Sequence, residues 1–275
     1  MNLEGKKRLI SFGCSFTSGS ELIDHELLGI SFDECNKKKQ KWWSDKKTMH
    51  QFEDYVSSTA RITPKQYVEM GSKRSYASKL ADKLGLEHVN YAIPGASVDH
   101  MVLDLFREHY TQKINPQTDL VFLGITTPHR YLSFSPGQTG APHSRVMSDR
   151  DFFDADMHYN DYKVMQTFFC ALQNFKNFCI ANNFDFYMQP VPIKEILFYN
   201  PTNRKANMFA DIYRDWQYLL TFERIWQEIL EYAVDANLSL HHPMDFIPCG
   251  FDHPPESAHE RFSKELYDKI IAGQN

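Results

Sequence analysis

The chain has 275 residues, of which 42% are hydrophobic and 24% charged, and its formal net charge is −5. This size and apolar content predict one large domain, and the mildly acidic balance argues against nucleic acid or an anionic membrane as a partner. The sequence has no apolar run of the roughly 20 residues that a membrane helix needs, and its first residues lack the pattern of a signal peptide. Five cysteines without a close pair are typical of reduced thiols, so we expect a cytoplasmic protein.

The chain opens with a buried strand. The segment KRLISF, residues 7–12, is apolar enough to be covered on both sides, and Gly13 begins a turn after it. Residues 24–73 form a long polar stretch that contains DECNKKKQKWWSDKK, and we interpret it as an insertion that forms a lid or lies on the surface. Residues 75–85 have the apolar spacing of a helix, and Gly85 is a suitable C-cap.

Strands and helices alternate in the rest of the chain. Further strands are predicted at the start of EHVNYAIPGAS, in TDLVFLGIT and in FDFYMQPVP. Further helices are predicted in VDHMVLDLFREHY, in YKVMQTFFCALQNFKNFCIANN, in YRDWQYLLTFERIWQEILEYAVDAN and from about residue 255. Residues 131–160 are rich first in Pro, Gly and Ser and then in acidic residues, which indicates a second insertion or long loop.

This alternation predicts an α/β fold in which right-handed βαβ units build a parallel sheet with helices on both faces. We expect a single domain over residues 1–275, with insertions at about 24–73 and 131–160. In such sheets the functional crevice lies beyond the carboxyl ends of the strands. Ser15, Gly95 and Thr126 each follow a predicted strand end, so the fold would bring all three to one rim.

Four short motifs occur in a specific order along the chain. They are FGCSFTSG, NYAIPGAS, FLGITT and DHPPESAH. In this order they resemble the sequence blocks of the SGNH hydrolases, also called the GDSL family, over nearly the whole chain outside the two insertions. The resemblance implies a three-layer α/β/α fold with a flavodoxin-like sheet, and esterase or acyl-transfer chemistry at a serine.

The first motif resembles the nucleophile block, and the match places the attacking hydroxyl at Ser15. Cys14 stands where the family often has an aspartate. A serine on a strand-to-helix turn is presented at the sheet rim, next to a helix start that favours developing negative charge. Taken alone, the same residues also fit a plain turn or a phosphate-binding loop.

Two further motifs resemble the blocks that stabilise an oxyanion, together with the backbone N–H of Ser15. Gly95 lacks a side chain, so its N–H can approach a substrate oxygen closely, although an ordinary turn glycine fits equally well. Thr126 occupies the position of the family's asparagine, and its hydroxyl is a shorter hydrogen-bond donor. His129 and Arg130 are nearby candidates for the missing contact or for substrate binding.

The last motif resembles the block of the general base, which the match places at His253, followed by Pro254. An imidazole can accept the serine proton and return it to a leaving group near neutral pH. The family's aspartate would stand at Gly250, so Asp252 is the nearest carboxylate that could orient His253, and Asp245 is a second candidate. A Ser–His dyad is the alternative to a triad.

Two other interpretations concern metals and nucleic acid. A metal site would use the cluster of His241, His242, Asp245, Asp252, His253 and His259. Their spacing fits no standard zinc or iron motif, so we expect no metal. The serine chemistry that the resemblance implies requires no organic cofactor. The lysine run could bind nucleic acid or an acidic substrate, but a solvated lid is favoured in an acidic chain.

The sequence therefore predicts a serine hydrolase that cleaves an ester through an acyl-serine intermediate, with a small-molecule or glycan-linked ester as substrate. The alternatives are a binding protein of the same fold with weakened catalysis, and an acyltransferase that acts on a sugar hydroxyl. Neither nucleic acid nor a membrane is expected as a partner, and the sequence does not indicate an oligomeric state.

Overall fold

The computed structural model describes residues 3–19, 21–45, 49–126, 130–133, 143–146, 161–190 and 256–272. In these ranges helices lie between the strands of the central sheet, as the sequence predicts. In chain order the elements are β1 (Arg8–Phe12), α1 (Ser15–Ser18), α2 (Asp24–Leu27), α3 (Phe32–Ser44), α4 (Met49–Ala60), α5 (Pro64–Arg74), α6 (Tyr76–Leu84), β2 (Glu87–Asn90), α7 (Val98–Tyr110), β3 (Asp119–Ile125), β4 (Arg130–Ser133), β5 (His143–Val146), α8 (Asp161–Ala181), β6 (Asp185–Pro190) and α9 (Glu256–Ala272).

The central sheet is parallel and has the strand order β2-β1-β3-β6. Its register pairs Leu9 with His88 on one side and with Leu120 on the other, and it pairs Val121 with Phe186. From β1 the chain passes to β2 on one side of it and then crosses over β1 to β3 on the other side. This is the doubly wound strand order of flavodoxin-like folds. The predicted α/β class and parallel sheet are therefore confirmed.

The helices form a layer on each face of this sheet. Right-handed crossovers in opposite directions place α6 and α7 on opposite faces. Helix α9 packs on α6, and α8 packs on α7. The core between these layers is apolar, and β3 is buried along its whole length because it is covered on both faces.

The helix boundaries around the sheet agree closely with the sequence. Ser75 caps α6 by accepting the backbone N–H of Ser78, and Gly85 ends this helix in the left-handed region with φ of 69°. Helix α7 buries the predicted face, which includes Met101 and Leu105. Helix α9 begins at Glu256, where the terminal helix was expected.

The polar stretch 24–73, which was predicted as a lid or a surface insertion, folds into helices with a small core of their own that the sequence pattern did not indicate. Helices α2 to α5 surround a small cluster of buried residues, which are Ile23, Cys35, Phe52, Val56 and Tyr67. Thr63 starts α5 with a capping box that it shares with Gln66, and Pro64 occupies the first helical position. We call residues 21–74 the helical insert.

A buried ion cluster ties the first residues of the helical insert to helix α3. Lys39 Nζ lies 2.8 Å from Glu21 Oε2 and 2.7 Å from Asp24 Oδ2, and all three side chains are buried. Tyr67 donates its hydroxyl to Asp24 Oδ1 at 2.6 Å. The prediction that the lysine run is solvated is thus wrong for Lys39, whereas its neighbour Lys38 is exposed.

The second predicted insertion and one predicted helix are described only in part or not at all. The segment 131–160 contains the antiparallel pair β4 and β5, and the rest of it lies outside the described residues. The helix predicted in 213–237 also lies outside them. Among the helices described, none has the length and apolar character to cross a membrane.

Candidate functional site

Ser15 is the first residue of α1, which follows β1 after only two residues. The N–H of Ser18 donates to Cys14 O at 2.9 Å, and the N–H of Gly19 donates to Ser15 O at 3.0 Å, so the turn closes at once into a single helical turn. Gly19 ends it with φ of 77°, a conformation that side-chain-bearing residues adopt rarely. Residues 13–19 are called the nucleophile turn below.

Two glycines leave space for one threonine of the nucleophile turn. A Cβ built at Gly13 would collide with the side chain of Thr17, and a Cβ at Gly124 would collide with the hydroxyls of Thr17 and Tyr76. Thr17 Oγ1 and the Tyr76 hydroxyl lie 2.8 Å apart in a hydrogen bond. Close packing against Thr17 therefore requires glycine at both positions. The sequence alone predicted only a turn at Gly13.

Gly95 lies in a tight turn that is tied to the nucleophile turn. The N–H of Ala96 donates to Ile93 O at 2.9 Å, and Gly95 has φ of 80°, which together with Pro94 is the pattern of a type II turn. The N–H of Ile93 donates to Gly13 O at 3.0 Å. The turn is closed by the N–H of Ala96, so it does not consume the N–H of Gly95.

Thr126 follows β3 directly and is fully buried. Phe12 pairs with Leu123 across the sheet, so Thr126 and Ser15 both lie three residues beyond the same register pair. Its Oγ1 is buried and has no hydrogen-bond partner among the residues that the structure describes. An unpaired buried hydroxyl costs about 1–3 kcal/mol, which makes this atom a candidate for a ligand contact.

A polar network lies beside the nucleophile turn. Asn90 Nδ2 donates to Ser72 Oγ at 2.8 Å and to Ser18 O at 3.4 Å, which links β2, α5 and α1. Ser11 Oγ lies 2.8 Å from His88 Nε2 and donates to Asn90 Oδ1 at 3.2 Å. Burial lowers the pKa of His88 to about 4, so its imidazole is neutral at pH 7.

Helix α5 contacts the nucleophile turn through backbone atoms. Gly19 and Gly71 approach so closely that a Cβ on Gly71 would lie 2.8 Å from Gly19 O. A Cβ on Gly19 would collide with Gly71 O in turn. The last helix of the helical insert, α5, therefore packs directly against the nucleophile turn.

The start of α9 is anchored to the α5–α6 junction. Glu256 accepts hydrogen bonds from Arg74 Nη1 at 2.6 Å and from Lys79 Nζ at 2.9 Å. The buried His259 accepts the backbone N–H of Tyr76 on its Nδ1 at 3.0 Å. Because Nδ1 is an acceptor, the imidazole of His259 is neutral and carries its proton on Nε2.

The structure describes only part of the predicted site. Ser15, Gly95 and Thr126 follow the ends of three adjacent parallel strands, β1, β2 and β3, as predicted. The predicted base His253, Asp252, Asp245 and the nearby His129 lie outside the described residues, as do His241 and His242. Their roles stay predictions.

The proposed metal cluster has one described member. His259 uses Nδ1 to accept the Tyr76 N–H, which is a helix-capping role at the start of α6. Within the described ranges no group of three or more His, Cys, Asp or Glu residues could hold a metal ion.

Several residues near the site were not identified from the sequence. In the sequence Tyr76 is only one of the apolar positions in the helical spacing of residues 75–85, and nothing in the motif FGCSFTSG distinguishes Thr17. Their hydroxyl contact joins residues 59 positions apart, so no local pattern indicates it. The glycines Gly13 and Gly124 are a sequence signal for this contact, because two glycines at adjacent strand ends let another group pack close to the backbone.

No protein-family model matches the chain, and no curated protein matches it. Among similar solved structures is a lipolytic protein of the G-D-S-L family from Desulfitobacterium hafniense, at 10% identity and a TM-score of 0.42, covering 96% of this chain and 99% of that one.

Two other solved structures are similar to the same extent. A G-D-S-L lipolytic protein from Veillonella parvula has 12% identity and a TM-score of 0.43, with 97% of each chain covered. A psychrotrophic esterase from Pseudoalteromonas has 13% identity and a TM-score of 0.42, covering 98% of this chain and all of that one.

Proposed function

We propose that this protein is an SGNH-type serine hydrolase that cleaves an ester bond, with Ser15 as nucleophile and His253 as general base. The observation that carries the proposal is the placement of Ser15, the Gly95 turn and Thr126 beyond the carboxyl ends of three adjacent strands. A nucleophile and separate hydrogen-bond donors around one point are what acyl transfer requires.

In the proposed reaction, Ser15 Oγ forms a bond to the ester carbonyl carbon while its proton moves to His253. The carbonyl electron pair shifts to the oxygen, and the resulting oxyanion accepts hydrogen bonds from the N–H groups of Ser15 and Gly95 and from the Thr126 hydroxyl. The tetrahedral species then releases the alcohol, which takes the proton from His253. Water repeats the sequence on the acyl-serine, and Asp252 orients His253.

The structure supports two of the proposed donors by separate observations. The Gly95 N–H is not consumed by its own turn, which is closed by Ala96. The Thr126 hydroxyl is buried and has no partner within the described part of the chain. Loss of one oxyanion donor lowers kcat by roughly 100- to 1000-fold in other hydrolases, so a Thr126→Val variant should be strongly impaired if its hydroxyl donates.

A catalytically weakened binding protein is the second candidate. The full burial of Thr126 favours it, because this hydroxyl contacts a substrate only if the substrate reaches that depth.

An acyltransferase that acts on a sugar hydroxyl is distinguished from a hydrolase by adding alcohols to the assay. Acyl transfer to the alcohol yields a new ester, and less free acid forms.

The direct test is turnover of a short-chain p-nitrophenyl ester. The wild type should hydrolyse it, whereas Ser15→Ala and His253→Ala should reduce kcat by at least about 1000-fold. Ser58→Ala, at an exposed serine of α4, is the matched control and should behave as wild type. An inactive wild type, or an active Ser15→Ala variant, would overturn the hydrolase proposal.

A further inference from the structure

Tyr76 is hydrogen-bonded to two segments that are far apart in the sequence. Its phenol oxygen lies 2.8 Å from Thr17 Oγ1, and its backbone N–H donates to His259 Nδ1 at 3.0 Å. Thr17 is two residues after Ser15, and His259 is six residues after His253. One residue thus contacts both the nucleophile turn and the helix that follows the proposed base.

Thr17 has little freedom to move in its site. Gly13 and Gly124 approach it so closely that a methyl group on either would collide with it. The Thr17 hydroxyl is also held by its hydrogen bond to the Tyr76 hydroxyl. Because α1 has only four residues, the position of Thr17 also sets the position of Ser15.

The Tyr76 ring is held in place independently of its hydroxyl. Its centroid lies 4.8 Å from that of Phe262 and 5.9 Å from that of Phe122, both in edge-to-face contact. Burial raises the pKa of Tyr76, so the phenol stays protonated and can donate to Thr17. Removing only the hydroxyl therefore leaves the aromatic packing intact.

The same region fixes the start of α9. Glu256 is bound by Arg74 and Lys79, and His259 is bound by Tyr76.

We infer that Tyr76 is a positioning residue for the proposed reaction, which aligns the nucleophile turn through Thr17. This inference rests on the proposed function. Tyr76 acts on Ser15 through Thr17. Because reacting groups lose rate steeply when misplaced by about 1 Å, the Tyr76 hydroxyl should affect catalysis more than substrate binding.

The test uses variants that remove one hydroxyl at a time. Tyr76→Phe and Thr17→Val should each lower kcat for the p-nitrophenyl ester by about tenfold and leave KM within about twofold. The double variant should be no slower than the slower single variant, because both remove the same hydrogen bond. Thr17→Ser, which restores the hydroxyl, should recover most of the lost kcat.

Tyr91→Phe is the matched control, since Tyr91 also hydrogen-bonds through its hydroxyl, to Glu108, and packs its ring on Phe12. It should retain the wild-type kcat. The inference is overturned if Tyr76→Phe has the same kcat as Tyr91→Phe, or if the two losses multiply in the double variant. An inactive wild type is a different outcome: it removes the proposed function and the inference together.

Discussion

Thr17 Oγ1 lies 2.8 Å from the hydroxyl of Tyr76, in a space that Gly13 and Gly124 leave open between two strand ends. This contact joins the first strand-to-helix turn to the start of α6. It explains why glycine occupies both positions, where a side chain would displace the threonine. The geometry of the turn that carries Ser15 therefore depends on residues far from it in sequence.

Gly124→Ala should destabilise the fold by about 1–3 kcal/mol, because its new methyl group overlaps the Thr17 and Tyr76 hydroxyls. Chemical denaturation of the variant measures this loss. In a Thr17→Ala and Tyr76→Phe background both overlapping oxygens are gone, so the same substitution should cost clearly less. Equal costs in the two backgrounds would contradict the steric explanation.

Gly71→Ala should also destabilise the protein, although alanine is the better helix former by about 1 kcal/mol at an open helical site. Its Cβ would lie 2.8 Å from Gly19 O and push α5 away from the nucleophile turn. Thermal unfolding should show a lower Tm than for Met70→Ala, an exposed site on the same helix. A stabilised Gly71→Ala variant would show that the two backbones are not in close contact.

The sequence predicted the elements of the sheet layers because their signals are local. The apolar runs of β1 and β3 and the spacing with Gly85 in α6 each occur within a dozen residues. The placement of Ser15, Gly95 and Thr126 after the ends of three adjacent strands followed from parallel topology alone. These elements can be predicted without knowing which distant residues contact each other.

The helical insert could not be predicted in the same way. Its small core is drawn from residues spread over more than 40 positions, and lysines interrupt the apolar pattern. Lys39 is buried only because Glu21 and Asp24 neutralise it, and these carboxylates are 18 and 15 residues away. The pairing of Thr17 with Tyr76 has no local signature for the same reason.

Lys39→Met should destabilise the protein by about 3–5 kcal/mol at pH 7, because it leaves two buried carboxylates without their cation. Lys38→Met, at an exposed neighbour, should change stability little. Burial raises the pKa of Asp24 and Lys39 opposes this, so without Lys39 the carboxyl should take up a proton more readily. The deficit measured by denaturation should therefore shrink as the pH falls, and a deficit independent of pH would contradict this reasoning.

His88 should make the protein less stable in acid. Its pKa falls from 6.5 to about 4 on folding because of burial, so between these values the unfolded chain binds a proton that the folded protein does not. Stability is thus lost as the pH falls through this window, by up to about 3 kcal/mol. Urea titrations from pH 7 to 4 should show a smaller loss for His88→Gln, and parallel curves for the two proteins would refute the assignment.

The most direct test of the hydrolase mechanism is labelling with a fluorophosphonate probe, followed by mass spectrometry to locate the modified residue. The mechanism predicts one modified residue, Ser15, and no labelling of the Ser15→Ala variant. Folded wild-type protein that remains unlabelled, or a label on another residue that persists in Ser15→Ala, would contradict it.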